Sequence, residues 1–367
     1  MIVKQVDDVK RIVELIPESG LDLINLFRLI KPGDILYSKT SRELKKERAS
    51  GKIDSERIQV TLGVEVESKS ADPLMKRVRF TGRIVYESRK LDLLGKYHTI
   101  TLHPGAEIKI QSKKDFERLR GFSSSYGRRR RRPVKILCVS LDDEELAIAE
   151  FSNGGLDIVF AKHLPKIDKS TSWSEPLEDV FEEALKVIKN KLLENKDLEI
   201  AVFGPKIFVE NFMKYLRKAG KGVAEKVKAA YSTSTGGEAG FREILRSNNA
   251  PDFIRELKPF RDSLEVERFI EVMARNPERV AVGLEEVYEA WRLGAVEKIL
   301  VSEQYLWNNL ENEVLEKILE AAERGKVEIQ VILDGLEASE KVMGLGGVVA
   351  VLRYPLPLKE IRSGGGG

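Results

Sequence analysis

The sequence predicts a multidomain chain of mixed α+β and α/β class, with a small β-barrel in front, a central α/β domain, and a C-terminal α/β/α sandwich. Three observations carry that reading. Residues 58–110 hold four short runs in which apolar and polar residues alternate, the period of half-buried strands. Residues 134–245 hold three strand-like runs and then an alternation of helix and strand. Residues 258–357 alternate helical and strand patterns throughout.

A short helix is expected from Gly20 to Ile30, and Asp34-Ile-Leu-Tyr37 reads as a strand. Ile58-Gln-Val-Thr-Leu-Gly-Val-Glu-Val-Glu67 and Val78-Arg-Phe-Thr-Gly-Arg-Ile-Val-Tyr86 alternate with period two. His98–Leu102 and Glu107–Ile110 continue the pattern around the turn His103-Pro-Gly-Ala106. So many short strands in so short a span suggest a small barrel. Gly121-Phe-Ser-Ser-Ser-Tyr-Gly127 reads as a linker, followed by Arg128 to Arg132 and Pro133. Five consecutive arginines repel one another and read either as an unpacked hinge or as an added phosphate contact.

Behind the linker, Val134–Leu141, Glu145–Phe151 and Leu156–Lys162 read as strands, with turns at Asp142-Asp143-Glu144 and Asn153-Gly154-Gly155. Phe181, Ala184, Leu185, Ile188 and Leu192 share one face of a helix over Glu178–Leu193. Glu199–Phe203 is a buried strand, and a further helix runs near Val209–Lys218. In the last third, Leu284, Val287, Tyr288 and Trp291 recur at helical spacing, as do Leu310, Val314, Leu315, Ile318 and Leu319. Lys298–Val301, Val327–Leu333 and Val348–Leu352 are apolar strands, so helices should cover both faces of a small sheet. The domains are therefore placed at 1–127, 128–256 and 257–367, the last with a disordered Gly-rich tail from Ser363.

Composition narrows the class. The chain has 367 residues, 42% of them hydrophobic, enough for two or three cores of roughly 100–150 residues each. No apolar run approaches the roughly 18 residues of a membrane span. Met1-Ile-Val-Lys-Gln-Val-Asp-Asp8 lacks the apolar centre of a signal peptide. The single cysteine, Cys138, excludes an internal disulfide and lies in the apolar run Ile136–Val139, where a buried thiol is expected. A soluble, cytoplasmic protein follows. The net charge of +3 hides an asymmetry: residues 1–132 carry 30 Lys and Arg against 18 Asp and Glu, and the remainder 32 against 41. A basic front and an acidic rear suggest different partners at each end.

The segment Lys39-Thr-Ser-Arg-Glu-Leu-Lys-Lys-Glu-Arg48 is the strongest candidate site. It reads as a long polar loop between strands, with Lys39, Arg42, Lys45, Lys46 and Arg48 positive. Lysine and arginine gain affinity for RNA or DNA by releasing condensed counterions; a solvated surface loop is the plainer alternative. Catalytic motifs are absent from the sequence. There is no phosphate-binding loop, no Gly-x-Gly-x-x-Gly and no His-Glu-x-x-His, and His98, His103 and His163 are too scattered for a zinc site. Asp142 and Asp143, with Glu144 and Glu145, are the only candidates for a magnesium-dependent nuclease, and adjacent acids in a turn usually solvate a hairpin. Thr235-Gly-Gly-Glu-Ala-Gly240 precedes a helix-like run and reads as a turn, with an anion-binding helix N-terminus as the alternative. Gly344-Leu-Gly-Gly347 precedes a strand and reads as close backbone packing.

In layout and local wording the chain resembles the archaeal Pelota family, paralogues of the class-1 translation release factor. The resemblance runs from about residue 20 to 357. In the front domain it lies in Gly33-Asp34, Ser38-Lys-Thr-Ser-Arg42, Thr61–Glu67, Gly82-Arg-Ile-Val85 and Gly95-Lys-Tyr-His-Thr99. Behind that it lies in Tyr231–Leu245, Val282-Gly-Leu-Glu-Glu-Val287, Gly294-Ala-Val-Glu297 and Leu352-Arg-Tyr-Pro355. It implies an Sm-like barrel that enters the ribosomal decoding site, a central domain of ribonuclease-H-like topology and a last domain like that of release factors. The implied partners are elongation factor 1-alpha in its GTP form, the stalled ribosome with its mRNA and ribosomal RNA, and an ABC-type recycling ATPase; a monomer is implied, with no intrinsic cofactor.

The resemblance assigns RNA contacts to Lys39, Thr40, Arg42, Lys45, Lys46 and Arg48. Tyr97 and His98 are offered as base-stacking residues, against a core or turn role in Tyr97-His-Thr-Ile100. The GTPase contact falls on Gly204-Pro-Lys-Ile-Phe-Val-Glu-Asn-Phe212, through Pro205, Ile207, Phe208 and Phe212; Lys206 and Ile207 stand where the family often has Gly and Phe. The Gly-Gly pairs at 154, 236 and 346 are followed by Leu156, Glu238 and Val348, so the Gly-Gly-Gln loop of release factors is missing, as is their Asn-Ile-Lys-Ser motif. Two other readings stay open: a divalent-metal-dependent RNA endonuclease using Asp142 and Asp143, and a general RNA-binding protein with no GTPase partner.

Overall fold

The computed structural model describes residues 1–47, 53–128, 135–164, 175–247 and 250–357. It divides into two compact units, Met1–Arg131 with Leu306–Asn312, and Arg132–Tyr305 with Glu313–Gly367. Arg129 to Arg132 and the tail from Ser363 lie outside the described residues.

The first unit is built on β1 (Ile2–Asp7), β2 (Ile12–Ile16), α1 (Gly20–Leu29), β3 (Ile35–Glu47), β4 (Ile53–Asp72), β5 (Arg77–Glu87), β6 (Tyr97–Leu102), β7 (Ile108–Gln111) and α2 (Phe116–Arg128). The strands form one antiparallel sheet in the order β1-β2-β7-β3-β4-β5-β6. β4 changes partners along its length, pairing with β3 in its first part and β5 in its second, and its register with β5 slips between Gly63 and Val64 and between Val66 and Ser68. Such bulges bend a strand and let a sheet curl around a core. Gly82 marks the tight spot: a Cβ there would lie 1.8 Å from the Glu65 carbonyl oxygen. Leu15, Leu36, Val64, Phe80 and Ile110 fill the core of the curl.

α1 begins where Ser19 accepts the Asp22 backbone N–H at 3.3 Å, and it buries Leu23, Leu26 and Phe27. Its C-terminal carbonyls at Phe27 and Ile30 accept the Lys69 ammonium at 2.6 and 3.3 Å, the placement a helix dipole favours.

Two sequence expectations change here. β1 and β2 were not expected; β1 lies on the sheet edge and is largely exposed, so it carries no alternation to read. The segment Gly121–Gly127, expected as a linker, is the second half of α2. Phe116, Leu119 and Ser123 are all buried on one stripe, and the Ser123 hydroxyl donates to the Leu119 carbonyl at 2.8 Å. The buried stripe continues the helix through a Ser/Gly composition.

The second unit opens with β8 (Ile136–Leu141), β9 (Glu145–Ser152), β10 (Gly155–His163), α3 (Glu175–Glu194), β11 (Glu199–Gly204), α4 (Lys206–Ala219), α5 (Lys221–Ala224), β12 (Val227–Ser232) and α6 (Gly237–Arg246). The sheet order is β10-β9-β8-β11-β12, with β8, β9 and β10 antiparallel and β11 parallel to both β8 and β12. That is the expected ribonuclease-H-like topology. Every residue of β8 is buried because both faces are covered. Leu137, Val139 and Leu141 pack with α3 and α4, while Ile136 and Cys138 face α6. Burial pushes the Cys138 thiol pKa well up, as expected of a structural thiol.

The chain continues through α7 (Asp252–Arg255), α8 (Lys258–Arg275), β13 (Val280–Val282), α9 (Leu284–Arg292), β14 (Val296–Ser302), α10 (Glu303–Asn308), α11 (Glu313–Glu323), β15 (Glu328–Ile332), α12 (Glu337–Gly344) and β16 (Val348–Leu352). The sheet order is β13-β16-β14-β15. Gly347 packs as expected, since a Cβ there would lie 2.0 Å from the Tyr305 ring. One hydrophobic cluster runs from Ile136 and Phe151 through Phe241, Ile254 and Phe260 to Val280 and Val349. The central and C-terminal sheets therefore share a core across residues 256 and 257.

Candidate functional site

The basic segment is not a loop but the far half of a β-ribbon. β3 and β4 stay in register from Ile35↔Glu65 to Glu47↔Ile53. β3 leaves β7 at Tyr37↔Lys109, and β4 leaves β5 at Leu62↔Glu87 with a last backbone bond from Ser88 to Thr61, so from Thr40↔Val60 onward the two strands pair only with each other. At about 3.3 Å per residue, positions 40–47 carry the arm roughly 25 Å past the sheet. Glu43 stands opposite Arg57 and Lys46 opposite Asp54 in the register.

Strand alternation puts Lys39 and Thr40 on opposite faces of the arm, and Arg42, Lys45 and Lys46 follow along the same strand. Lys39 is 78% exposed and 3.7 Å from Glu107. Arg48 lies outside the described residues.

Tyr97 and His98 are placed apart from the arm, on edge strand β6, where they stand opposite Arg83 and Gly82. Tyr97 is 58% exposed, which corrects a core or turn role. The Arg83 guanidinium lies 4.9 Å from its ring centroid, and its hydroxyl donates to Glu67 at 2.9 Å. His98 is half-buried. One face of the Tyr97 ring is already covered by a cation of the protein itself.

The carboxylates of the acidic turn after β8 accept backbone N–H groups. Asp142 Oδ1 accepts the N–H groups of Glu144 and Glu145 at 2.9 Å, and Oδ2 accepts that of Gly236 at 2.6 Å. Glu145 accepts the Glu238 N–H at 3.0 Å. Glu243 accepts those of Ser234 and Thr235; burial pushes its pKa up, but these bonds win and hold it below the usual carboxylate value. The N-terminus of α6 is thus filled by the protein's own carboxylates. A Cβ at Gly236 would lie 2.1 Å from the Leu141 carbonyl carbon, and Gly237 has φ +57°, so both glycines serve the turn. Asp143 is exposed. Among the described residues no group of three or more His, Cys, Asp or Glu is placed to hold a metal ion. Asp142→Ala is expected to cost about 1–2 kcal/mol of stability in urea unfolding, through loss of the cap, and to leave RNA affinity unchanged. A drop in RNA affinity without a drop in stability would contradict this reading.

α4 separates the residues expected at a GTPase contact. Ile207 is 52% exposed and Pro205 half-buried at the helix start. Phe208 and Phe212 are buried, and Phe212 meets Phe181 edge to face at 5.1 Å. Helical spacing turns positions 208, 209, 212 and 216 toward the sheet, so these two phenylalanines are core residues and do not face a partner. The outward face is Lys206, Ile207 and Glu210, with Lys206 and Glu210 4.0 Å apart.

Sequence reasoning missed a cleft at the base of the arm, lined by Tyr37, Tyr86 and Lys109. These residues come from three strands far apart in the chain, and no local pattern joins them. No helix among the described residues is long and apolar enough to cross a membrane.

Comparison with known proteins extends over nearly the whole chain. Residues 1–120 match the Pelota N-terminal domain family, and residues 260–356 match domain 3 of the eRF1 family. The Pelota homologue of Pyrococcus furiosus is 32% identical over 354 residues, 94% of this chain and 96% of its own length. That of Thermococcus gammatolerans is 31% identical, with 94% and 96% covered. The crystal structure of the Thermoplasma acidophilum Pelota protein superposes with a TM-score of 0.68 at 18% identity, covering 97% of this chain and 100% of that one, and so shares the fold. Identity at this level over 94% of the chain establishes that it belongs to the Pelota family.

Proposed function

We propose that this protein is a ribosome-rescue and mRNA-surveillance factor, acting in no-go and non-stop decay as a tRNA-shaped adaptor. In this reading it occupies the A site of a stalled ribosome, is delivered by GTP-bound elongation factor 1-alpha, and promotes subunit dissociation together with an ABC-type recycling ATPase. It neither reads a stop codon nor releases the peptide. The three domains at 1–127, 128–256 and 257–367 then divide decoding-site binding, GTPase contact and release-factor-like contacts among them. The protein works as a cytoplasmic monomer with no cofactor of its own.

The observation that carries the reading is family membership over the full chain, combined with a basic arm that projects from the front sheet. Lys39, Thr40, Arg42, Lys45, Lys46 and Arg48 are the proposed contacts to mRNA and ribosomal RNA phosphates. Phosphate contacts position a protein without reading sequence, which suits a factor that acts at any codon.

For the GTPase, the outward face of α4 offers an apolar anchor at Ile207 between Lys206 and Glu210. The test is co-migration with archaeal elongation factor 1-alpha in gel filtration, with a GTP analogue or GDP. A complex with the GTP form alone is expected. Ile207→Asp is expected to weaken it by at least about 30-fold, the effect typical of an anchor residue, with an unchanged melting temperature. No complex in either nucleotide state would remove the GTPase from the proposal and leave a plain RNA-binding protein.

A further inference from the structure

We propose that the cleft at the base of the arm holds one unstacked base of a single-stranded RNA, between tyrosines that form a platform and lysines that take the adjoining phosphates. This rests on reading the first unit as the RNA-facing part of the protein and adds to it a site at the base of the arm that shares Lys39 with it and is distinct from Tyr97 and His98.

The cleft is built by the register of five strands. Glu14 on β2 stands opposite Lys109 on β7, Lys109 opposite Tyr37 on β3, Tyr37 opposite Gly63 on β4, and Gly63 opposite Tyr86 on β5. Gly63 makes the row possible. A Cβ there would lie 2.8 Å from the Tyr37 ring and 2.9 Å from the Tyr86 Cβ. Without it, the two rings meet across β4 edge to face, with centroids 5.7 Å apart and planes at 69°. Tyr37 is locked by donating its hydroxyl to Gln111 at 2.9 Å, and burial pushes its pKa up, so it stays a neutral phenol. Tyr86 is 46% exposed. The cleft is open to solvent and offers about 820 Å³, room for a base and its phosphates.

Charge selects the ligand class. Lys10, Lys39 and Lys109 line the cleft, together with Glu14, Glu107 and His103. The carboxylates are largely compensated: Glu14 pairs with Lys109 at 3.0 Å and Glu107 with Lys4. The Lys4 ammonium beside Glu107 holds that carboxyl below its usual value. Lys39 lies 3.7 Å from Glu107 as well and remains mostly exposed where the arm departs. An anion with a flat π surface fits this arrangement, because a base stacks on an exposed aromatic while its phosphates meet the lysines. An acidic peptide would meet the lysines and leave the tyrosines unused.

The experiment uses the full chain, a fluorescein-labelled single-stranded oligoribonucleotide, and an abasic oligomer of the same length, read by fluorescence anisotropy. Tyr86→Ala is expected to weaken binding of the base-bearing RNA about tenfold and to leave the abasic oligomer unchanged, because one base no longer stacks. Tyr86→Leu keeps the bulk without the π face and should show the same weakening, while Tyr86→Phe should bind as the wild type does. Lys39→Ala should weaken both oligomers equally and lower the salt slope by about 0.7. Wild-type affinity in Tyr86→Ala or Tyr86→Leu overturns the stacking site and leaves the RNA-facing reading intact. Equal weakening in Tyr86→Phe and Tyr86→Ala overturns it too. A wild type that binds neither oligomer, or binds polyglutamate more tightly than RNA, overturns both.

Discussion

Asp262→Ala is expected to destabilise the second unit by about 3–5 kcal/mol, the cost of stripping one partner from a buried ion pair. Asp262 is fully buried, and its carboxylate accepts the Lys258 ammonium at 2.7 and 2.9 Å, Gln330 Nε2 at 2.9 Å and the Leu333 backbone N–H at 2.9 Å. Lys258 also donates to the Val331 carbonyl, and its backbone N–H reaches Asn153 at 3.0 Å, tying the turn after β9 to α8. Burial pushes the Lys258 pKa down, and Asp262 is the main influence holding it up. Without Asp262 an ammonium only 20% exposed loses its counter-charge, and two further donors lose their acceptor. Guanidinium unfolding checks this. Because one hydrophobic cluster joins the central and C-terminal sheets, their residues should unfold in one transition, and the mutant midpoint should fall with it. A change below about 1 kcal/mol would show that Lys258 finds water or another acceptor at no great cost.

The second large effect is on RNA binding. Replacing Lys39, Arg42, Lys45, Lys46 and Arg48 together by alanine is expected to lower affinity for single-stranded RNA about 100-fold or more at moderate salt. The plot of log affinity against log salt should flatten by about 3.5, at roughly 0.7 for each phosphate of a single strand that the protein no longer neutralises. The ladder of the arm is made by backbone groups, so the melting temperature should hold. An unchanged salt slope would mean that these charges only solvate the ribbon, the plainer reading of the sequence.

The elements that sequence reasoning reached are those where one period dominates. β5 was expected over Val78–Tyr86 and runs Arg77–Glu87, and α3 was expected over Glu178–Leu193 and runs Glu175–Glu194. Both bury one clear stripe. Where exposure or composition hides the stripe, the reading failed. β1 has almost no buried position to reveal it. In α2, Ser123 takes a buried position that sequence logic assigns to an apolar residue, and the Ser/Gly composition pointed to a linker.

The site shows the same division. Charge was legible along the chain, so Lys39 to Arg48 stood out, but its shape was not. Whether a polar stretch becomes loop or ribbon depends on residues 53–61 lying alongside it. The α4 segment was legible as a motif, yet only helical phase separates outward Ile207 from inward Phe208 and Phe212. Asp142 was visible as an acid, but its real partner, the Gly236 N–H, lies 94 residues away in sequence. The cleft of Tyr37 and Tyr86 exists only through pairing across β4, which no single stretch of sequence contains.

Rescue of stalled ribosomes is read out by subunit separation. Archaeal ribosomes stalled on a truncated mRNA would be incubated with this protein, GTP-bound elongation factor 1-alpha, the ABC-type recycling ATPase and ATP, then resolved on a sucrose gradient. Conversion of whole ribosomes to free subunits is expected, with the peptidyl-tRNA ester intact and with most of the activity gone in the five-alanine arm variant. Ribosomes that stay whole, or peptide released by hydrolysis while the arm variant works normally, would contradict it.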